Sequence, residues 1–114
     1  MHRERNEILE ERRRLRAEYG DFFDATAHLL FQHDPVGINF DHNADEYESE
    51  TSTILPRLGA CQSADDVLKV VHEEFVRWFD PVIAGPQERY TEIASEIWKL
   101  SEQYRLRRET LPSE

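Results

Sequence analysis

Apolar side chains recur at the spacing of an α-helix along most of this chain, and this periodicity restricts its fold more than any other feature. Ile8, Leu15, Phe22 and Leu29 follow one another at intervals of seven residues, which places them on one face of a helix. A second stripe is formed by Tyr90, Ile93, Ile97, Leu100 and Tyr104. No stretch alternates apolar and polar residues as a half-buried strand does, and no Asn-Gly or Asp-Gly pair marks a hairpin. The pattern predicts an all-α fold.

The first helical segment is predicted to run from about residue 3 to residue 33. Gly20 costs about 1 kcal/mol in a helix interior and Asp21 can act as a new N-cap, so we expect a bend or a break at this point. Residues 1–20 carry six arginines and five glutamates and are interpreted as a charged helical extension. Their apolar spacing of seven also suits pairing of helices between chains, so a homodimer through residues 1–20 stays open.

Proline and glycine divide the rest of the chain into three shorter helical segments. The three are predicted to span about residues 45–58, 63–79 and 86–104. Pro56 is expected to kink the first of them, because proline removes a helical hydrogen bond. We predict a single domain over residues 1–114, folded as a four-helix, mostly antiparallel bundle, with fraying over residues 105–114.

Composition agrees with a helical domain that stays where it is made. Apolar residues make up 39% of the chain and charged residues 33%, which is enough for one core and a solvated surface. No apolar run approaches the roughly 20 residues that cross a bilayer, and the first residues lack the apolar region of a signal peptide. Cys61 is the only cysteine, so an internal disulfide is excluded and a reducing compartment suits the chain. We expect a cytoplasmic protein.

The chain is strongly acidic, and its excess of acidic side chains lies between residues 21 and 104. The net charge is −10, and residues 21–104 hold 17 acidic side chains against five basic ones. Such a field repels nucleic acid and attracts basic surfaces, so we expect a basic protein partner. Five acids and no base lie between residues 41 and 50, and they are the predicted partner-binding residues. They are Asp41, Asp45, Glu46, Glu48 and Glu50.

The familiar catalytic signatures of helical proteins are missing from the sequence. A di-iron site in a bundle needs Glu-x-x-His, and none of the five histidines has a glutamate three residues before it. Phosphate-cradling glycine loops and the Gly-x-Ser-x-Gly elbow are also absent. Cys61 is interpreted as a small loop residue, because no base is marked for it. We therefore predict no enzyme, no cofactor and no resident metal.

The stretch that begins at Asp41 resembles the first half of a calcium-binding loop. Asp41, Asn43 and Asp45 offer oxygen ligands at its first, third and fifth positions. The resemblance then fails, since Glu46 stands where the loop needs glycine and Ser52 where it needs a bidentate carboxylate. The favoured interpretation is a solvated acidic loop that leads into a helix.

The third helical segment carries a carboxylate on its apolar face. Glu74 falls inside an apolar arc that covers about half of the helix, and His72 falls at the edge of that arc. A buried carboxylate must be paired or protonated, and Arg77 is within reach. One interpretation is a polar cluster of Glu74, Arg77, His72 and His33 that lines a ligand-binding or catalytic pocket. The favoured interpretation is that Glu74 lies at the edge of the apolar face, where its stem packs and its carboxylate meets an arginine or water. One interpretation of the aromatic residues Trp78, Phe79 and Trp98 is that they anchor a partner, since tryptophan is enriched at interface hot spots. Their helical spacing in a small protein favours the other interpretation, and they are predicted to lie in the core.

Short motifs in the middle of the chain resemble a known family. They are DPVG, DEYESE, ILPRL and VHEEF, at residues 34–37, 45–50, 54–58 and 71–75. These motifs are similar to small uncharacterised bacterial helical proteins of the YugE-like domain family, and related patterns occur among candidate immunity proteins that neutralise toxins. The resemblance covers about residues 30–98. It implies a bacterial origin, an all-helical fold and no established catalytic residues, and it makes an immunity-type interaction protein one concrete version of the prediction.

Overall fold

The computed structural model describes the backbone of residues 5–37 and 47–110 and the side chains of residues 10–37 and 47–106. The α-helices are α1 (Arg5–Tyr19), α2 (Asp21–His33), α3 (Glu48–Ile54), α4 (Ala64–Phe79), α5 (Pro81–Ala84) and α6 (Thr91–Thr110). Two 3₁₀ helices, Leu55–Ala60 and Gln87–Tyr90, precede α4 and α6. No strand occurs within these two ranges, and the predicted all-α class is confirmed.

The predicted break at Gly20 is confirmed. Gly20 lies between α1 and α2 with a φ of 60° and a ψ of −134°, a conformation that side chains with a Cβ rarely adopt. Its amide still donates to the carbonyl of Arg16 at 2.7 Å, and its carbonyl accepts from the amide of Phe23 at 3.1 Å. The chain therefore changes direction within one residue, and the long first segment becomes two helices.

Proline shapes the second and the last predicted segments. Pro56 lies in the 3₁₀ helix that continues α3, so α3 ends at Ile54 after seven residues. The last predicted segment, about residues 86–104, begins with a 3₁₀ turn before α6 starts at Thr91, and the short helix α5 lies in the connection before it, where no helix was predicted. Residue 105, where we expected fraying to begin, lies inside α6, which continues to Thr110. The side chains of residues 107–110 and all of residues 111–114 lie outside the described part.

The core forms around α4, which packs mainly against α6 and also contacts α3 and α5. Phe75 is fully buried on α4, and its ring lies 6.0 Å from Tyr47, 5.8 Å from Phe79 and 5.0 Å from Tyr90. Helix α2 also packs against α6, and it contributes Phe23 and other buried residues to the core. Because several elements meet on one aromatic cluster, the chain forms one hydrophobic core.

The prediction that Trp78 is a core residue is wrong. Its side chain is 46% exposed at the end of α4, and its indole N–H donates to Thr53 Oγ1 at 3.0 Å. The reason is that α3 offers a hydroxyl at this position, which satisfies the indole at the edge of the protein. Phe79 and Trp98 are partly buried and pack against the core.

Candidate functional site

The predicted acidic surface is only partly covered by the structure. Asp41, Asp45 and Glu46 lie outside the described residues, as does most of the stretch that resembles a calcium loop. The other two acids do not face solvent, because Glu48 is 14% exposed and Glu50 is buried. Within residues 5–37 and 47–110, no three His, Cys, Asp or Glu side chains group as metal ligands.

Glu48 ties α3 to α1 and does not project toward a partner. Its carboxylate accepts a hydrogen bond from Arg16 and lies 3.5 Å from a nitrogen of Arg12. Arg12 also donates to Ser49 Oγ at 2.7 Å, and Arg16 donates to Asp24 at 3.0 Å. The start of α3 is therefore paired with the arginines of α1, which is a structural role.

The predicted polar cluster is distributed over three separate contacts. His33 bonds to Glu96 on α6 at 2.7 Å, while His72 bonds to the carbonyl of Gly85 at 2.9 Å. Glu74 pairs instead with Arg77 and with Arg57 of the 3₁₀ helix Leu55–Ala60. The three contacts involve different elements, and among the described residues no hydrogen bond joins His33, His72 and Glu74 to one another.

Glu74 is the deepest of these groups, with an exposure of 1%. Its Oε2 accepts from Arg57 at 2.8 Å and from Arg77 at 3.3 Å, and Arg57 donates a further bond to Glu73 at 2.7 Å. The bond from Arg57 lowers the pKa of Glu73 below its usual value. The favoured sequence interpretation is right about the arginine partner and wrong about the edge position, because the side chain of Glu74 is buried and not at the rim of the apolar face. Arg57 was not anticipated because it lies 17 residues away.

Four large apolar side chains are exposed in the described part of the chain, and three of them lie within six residues of sequence at the end of α4 and on α5, while the fourth is Leu106 on α6. Val82 is 89% exposed and Ile83 is 49% exposed, and Trp78 lies four residues before Val82. We call these three residues the apolar surface. Exposed large apolar side chains close together are a common mark of a protein contact.

The turn that carries this surface begins with a strained residue. Asp80 has a φ of 86° and a ψ of 163°, a region that is almost restricted to glycine and costs about 1–3 kcal/mol. Its carboxylate accepts a hydrogen bond from the amide of Ile83 at 2.9 Å, and Pro81 occupies the first helical position. The side chain of Asp80 thus caps the helix that presents Val82 and Ile83.

Three side chains hold the other end of the turn. Arg89 donates to the carbonyls of Ile83 at 3.1 Å and Ala84 at 2.9 Å, and Tyr90 donates to the carbonyl of Ala84 at 2.6 Å. His72 bonds to the carbonyl of Gly85, so its Nε2 must carry the proton. These bonds satisfy the backbone of a four-residue helix that cannot be stable alone.

Gly85 allows this close packing. Its φ is 78°, and a Cβ at this position would lie 2.6 Å from the guanidinium carbon of Arg89. The same guanidinium also donates to the carbonyl of Pro35 at 3.2 Å, which connects the turn to the segment after α2. The turn is therefore fixed on both sides while its apolar side chains face solvent.

Cys61 is buried, and burial raises the pKa of its thiol. A raised thiol pKa lowers the fraction of thiolate, which is the nucleophilic form. This agrees with the interpretation of Cys61 as a small structural residue.

Comparisons with protein-family models, curated proteins and solved structures find no match. None of the helices in the described part of the chain is both long and apolar enough to cross a membrane. The function of the chain is therefore inferred from the apolar surface and the turn that carries it.

Proposed function

We propose that this chain is a non-enzymatic protein-interaction module that binds a basic partner protein through the apolar surface of Trp78, Val82 and Ile83. The observation that carries the proposal is a rigid turn that keeps Val82 almost fully in solvent. A surface held in its binding conformation loses little entropy on association, which favours affinity. Tryptophan is also among the residues most often found at the energetic centre of interfaces.

The charge of the chain supports a basic partner. The net charge of −10 steers a basic protein toward it and makes association sensitive to salt. The residues of the apolar surface belong to the acidic part of the chain, since residues 21–104 hold 17 acidic side chains against five basic ones.

The proposal also includes the predictions from the sequence about the arrangement of the helices, the origin of the protein and its location. The packing of α6 against both α4 and α2 supports a four-helix, mostly antiparallel arrangement. The motifs that resemble the YugE-like family support a bacterial protein, and an immunity-type protein that neutralises a basic toxin is a concrete version. A single cysteine, Cys61, supports a cytoplasmic location.

A pair of matched aspartate variants tests the proposal. Val82→Asp places a charge in the apolar surface, whereas Leu106→Asp changes another exposed apolar residue, which lies on α6 and is 60% exposed. We expect the wild-type chain and L106D to retain one basic protein from the source cell at low salt, and V82D to lose it. Capture by affinity tag followed by mass spectrometry measures this.

Calorimetry with the purified partner then gives the affinity of each variant. A charge placed in a central contact is expected to weaken binding at least about thirtyfold, equivalent to roughly 2 kcal/mol. Equal binding by V82D and L106D, or recovery of no basic protein at all, would contradict the proposal.

A further inference from the structure

A single nitrogen of Arg89 is surrounded by backbone carbonyls. Its Nη1 donates to the carbonyl oxygens of Ala84 at 2.9 Å, Ile83 at 3.1 Å and Pro35 at 3.2 Å. Ile83 and Ala84 belong to the end of α5, whereas Pro35 follows α2 and lies 54 residues before Arg89. We call these three oxygens the carbonyl cage. Two distant segments of the chain therefore meet at one positively charged group.

The shortness of α5 explains why carbonyls are available for such a cage. The last carbonyls of any helix have no amide partner inside the helix, and α5 has only four residues. The carbonyl of Pro81 accepts from the amide of Gly85 at 3.1 Å, while those of Ile83 and Ala84 accept from Arg89. Carbonyl oxygens carry partial negative charge, so several of them directed at one point replace the water around a cation.

The geometry of the cage suits an N–H donor better than a metal ion. Its distances of 2.9 to 3.2 Å are those of N–H···O hydrogen bonds, whereas calcium binds oxygen at about 2.3–2.6 Å. A guanidinium nitrogen of this type has two hydrogens for the three oxygens, so one hydrogen is shared. An ammonium group carries three N–H donors on one nitrogen and matches the acceptors one to one.

The cage is closed on one side and open to solvent on the other. Ala84 is fully buried, and its carbonyl also accepts from the hydroxyl of Tyr90 at 2.6 Å. Arg89 itself is exposed, and its bonds to Pro35 and Ile83 lie at the surface. A small ion can therefore reach the three oxygens once the arginine side chain is removed.

We propose that the carbonyl cage is a binding site for a nitrogen cation, that Arg89 fills it, and that the bound cation positions the apolar surface. Val82 and Ile83 lie on the helix whose last carbonyls form the cage, so a filled cage fixes the backbone that presents them. A fixed backbone loses less entropy on association. Arg89 is thus a positioning residue, and only this role rests on the proposed function.

Hydrogen exchange in the full chain tests the cage without any partner. The amides of Ala84 and Gly85 report on it, because they donate the hydrogen bonds that close the turn. Arg89→Met keeps an unbranched side chain without a donor, and we expect about tenfold faster exchange at these amides, with the amide of Phe75 unchanged. Arg89→Lys supplies three donors on one nitrogen, so its exchange should stay within about threefold of wild type.

Free ions test the cage in Arg89→Ala, which leaves room for them. The probe is guanidinium, and its matched controls are urea, which has the same planar shape without the charge, and tetramethylammonium, which has the charge without an N–H donor. All are used well below the concentrations that unfold proteins. We expect guanidinium alone to shift the carbonyl-carbon resonances of Pro35, Ile83 and Ala84 and to slow the exchange of Gly85.

The outcomes separate the cage from the proposed function. Exchange in R89K as fast as in R89M, or equal effects of guanidinium and either control, would overturn the cage. With the purified partner, calorimetry should give about tenfold weaker binding for R89M and nearly wild-type binding for R89K. Normal partner binding by R89M while its turn exchanges fast would overturn the positioning role. Normal binding by V82D would instead contradict the proposed function and leave the exchange results standing.

Discussion

At the scale of single residues, Glu74 shows how this fold tolerates a buried charge. The carboxylate is almost completely inaccessible, and two arginines donate to the same oxygen. Burying an ion is costly, and the cost is offset only while the partner stays in place. Arg57 is the stronger partner by distance, since its bond is 2.8 Å against 3.3 Å for Arg77.

We predict that Arg57→Met destabilises the protein by about 3 kcal/mol, because it leaves the buried carboxylate of Glu74 with one long contact. Arg77→Ala is the matched control. The side chain of Arg77 is 74% exposed, so its removal should cost less than about 1 kcal/mol. Urea unfolding at neutral pH measures both changes in the free energy of unfolding.

The pH dependence of stability provides an independent check on Arg57. The pKa of Glu73 is lowered in the folded protein by its bond from Arg57, so this bond contributes above the usual pKa of 4.5. The contribution is lost as the pH falls through the lowered pKa. Arg57→Met should therefore show a shallower loss of stability between neutral pH and acid than wild type. Parallel curves for the two proteins would argue against the pairing.

At the scale of elements, glycine and proline decide where helices stop. Gly20 separates α1 from α2, and Pro56 converts the end of α3 into a 3₁₀ helix. Both effects are local, which is why the sequence alone predicts them. Asp80 is the exception, because the sequence predicts a helix end before Pro81 but does not reveal the strained backbone at this residue.

A pair of glycine variants isolates the role of the joint. We predict that Gly20→Ala costs at least about 1 kcal/mol, because a Cβ disfavours a φ of 60°. Gly59→Ala has no positive φ to oppose it, and we expect it to stabilise the protein by about 0.4–1 kcal/mol. In both cases no atom lies within 4 Å of the new Cβ, so packing is not disturbed. Thermal unfolding distinguishes the opposite signs.

If Gly20→Ala were neutral, the conformation of the joint would not be a constraint on the fold. If Gly59→Ala were also destabilising, the difference between the two glycines would not be conformational. The comparison therefore depends on the sign of the two changes more than on their size.

At the scale of the whole molecule, the helices are held with different kinds of contact. Helix α4 contributes fully buried apolar residues to the core, whereas the described side chains of α1 contribute the partly buried Leu15 and Tyr19 and the arginines that pair with Glu48 of α3. Polar contacts near the surface are weaker than a buried core and open more readily. We expect α1 to open locally while α4 and α6 stay protected.

Hydrogen exchange of the backbone amides tests this order of stability. Glu48→Gln removes the charge that Arg12 and Arg16 share, and we predict about tenfold faster exchange in α1, equivalent to roughly 1.4 kcal/mol. Asp24→Asn is the control, because Asp24 is 63% exposed and its pair with Arg16 should contribute little. Equal acceleration in α4 would instead indicate global destabilisation and contradict the prediction.

The sequence by itself determined the all-α class and the helix breaks at Gly20 and Pro56, because the 3.6-residue periodicity and the effects of glycine and proline act over a few neighbouring positions. Tertiary structure decided which charges pair and which apolar residues face solvent. The carboxylate of Glu48 pairs with Arg16, which lies 32 residues away in the sequence, so its negative charge is neutralised within the fold. Val82 and Ile83 are exposed on a turn that Asp80 and Arg89 hold from its two ends, and such contacts leave no periodic pattern in the sequence.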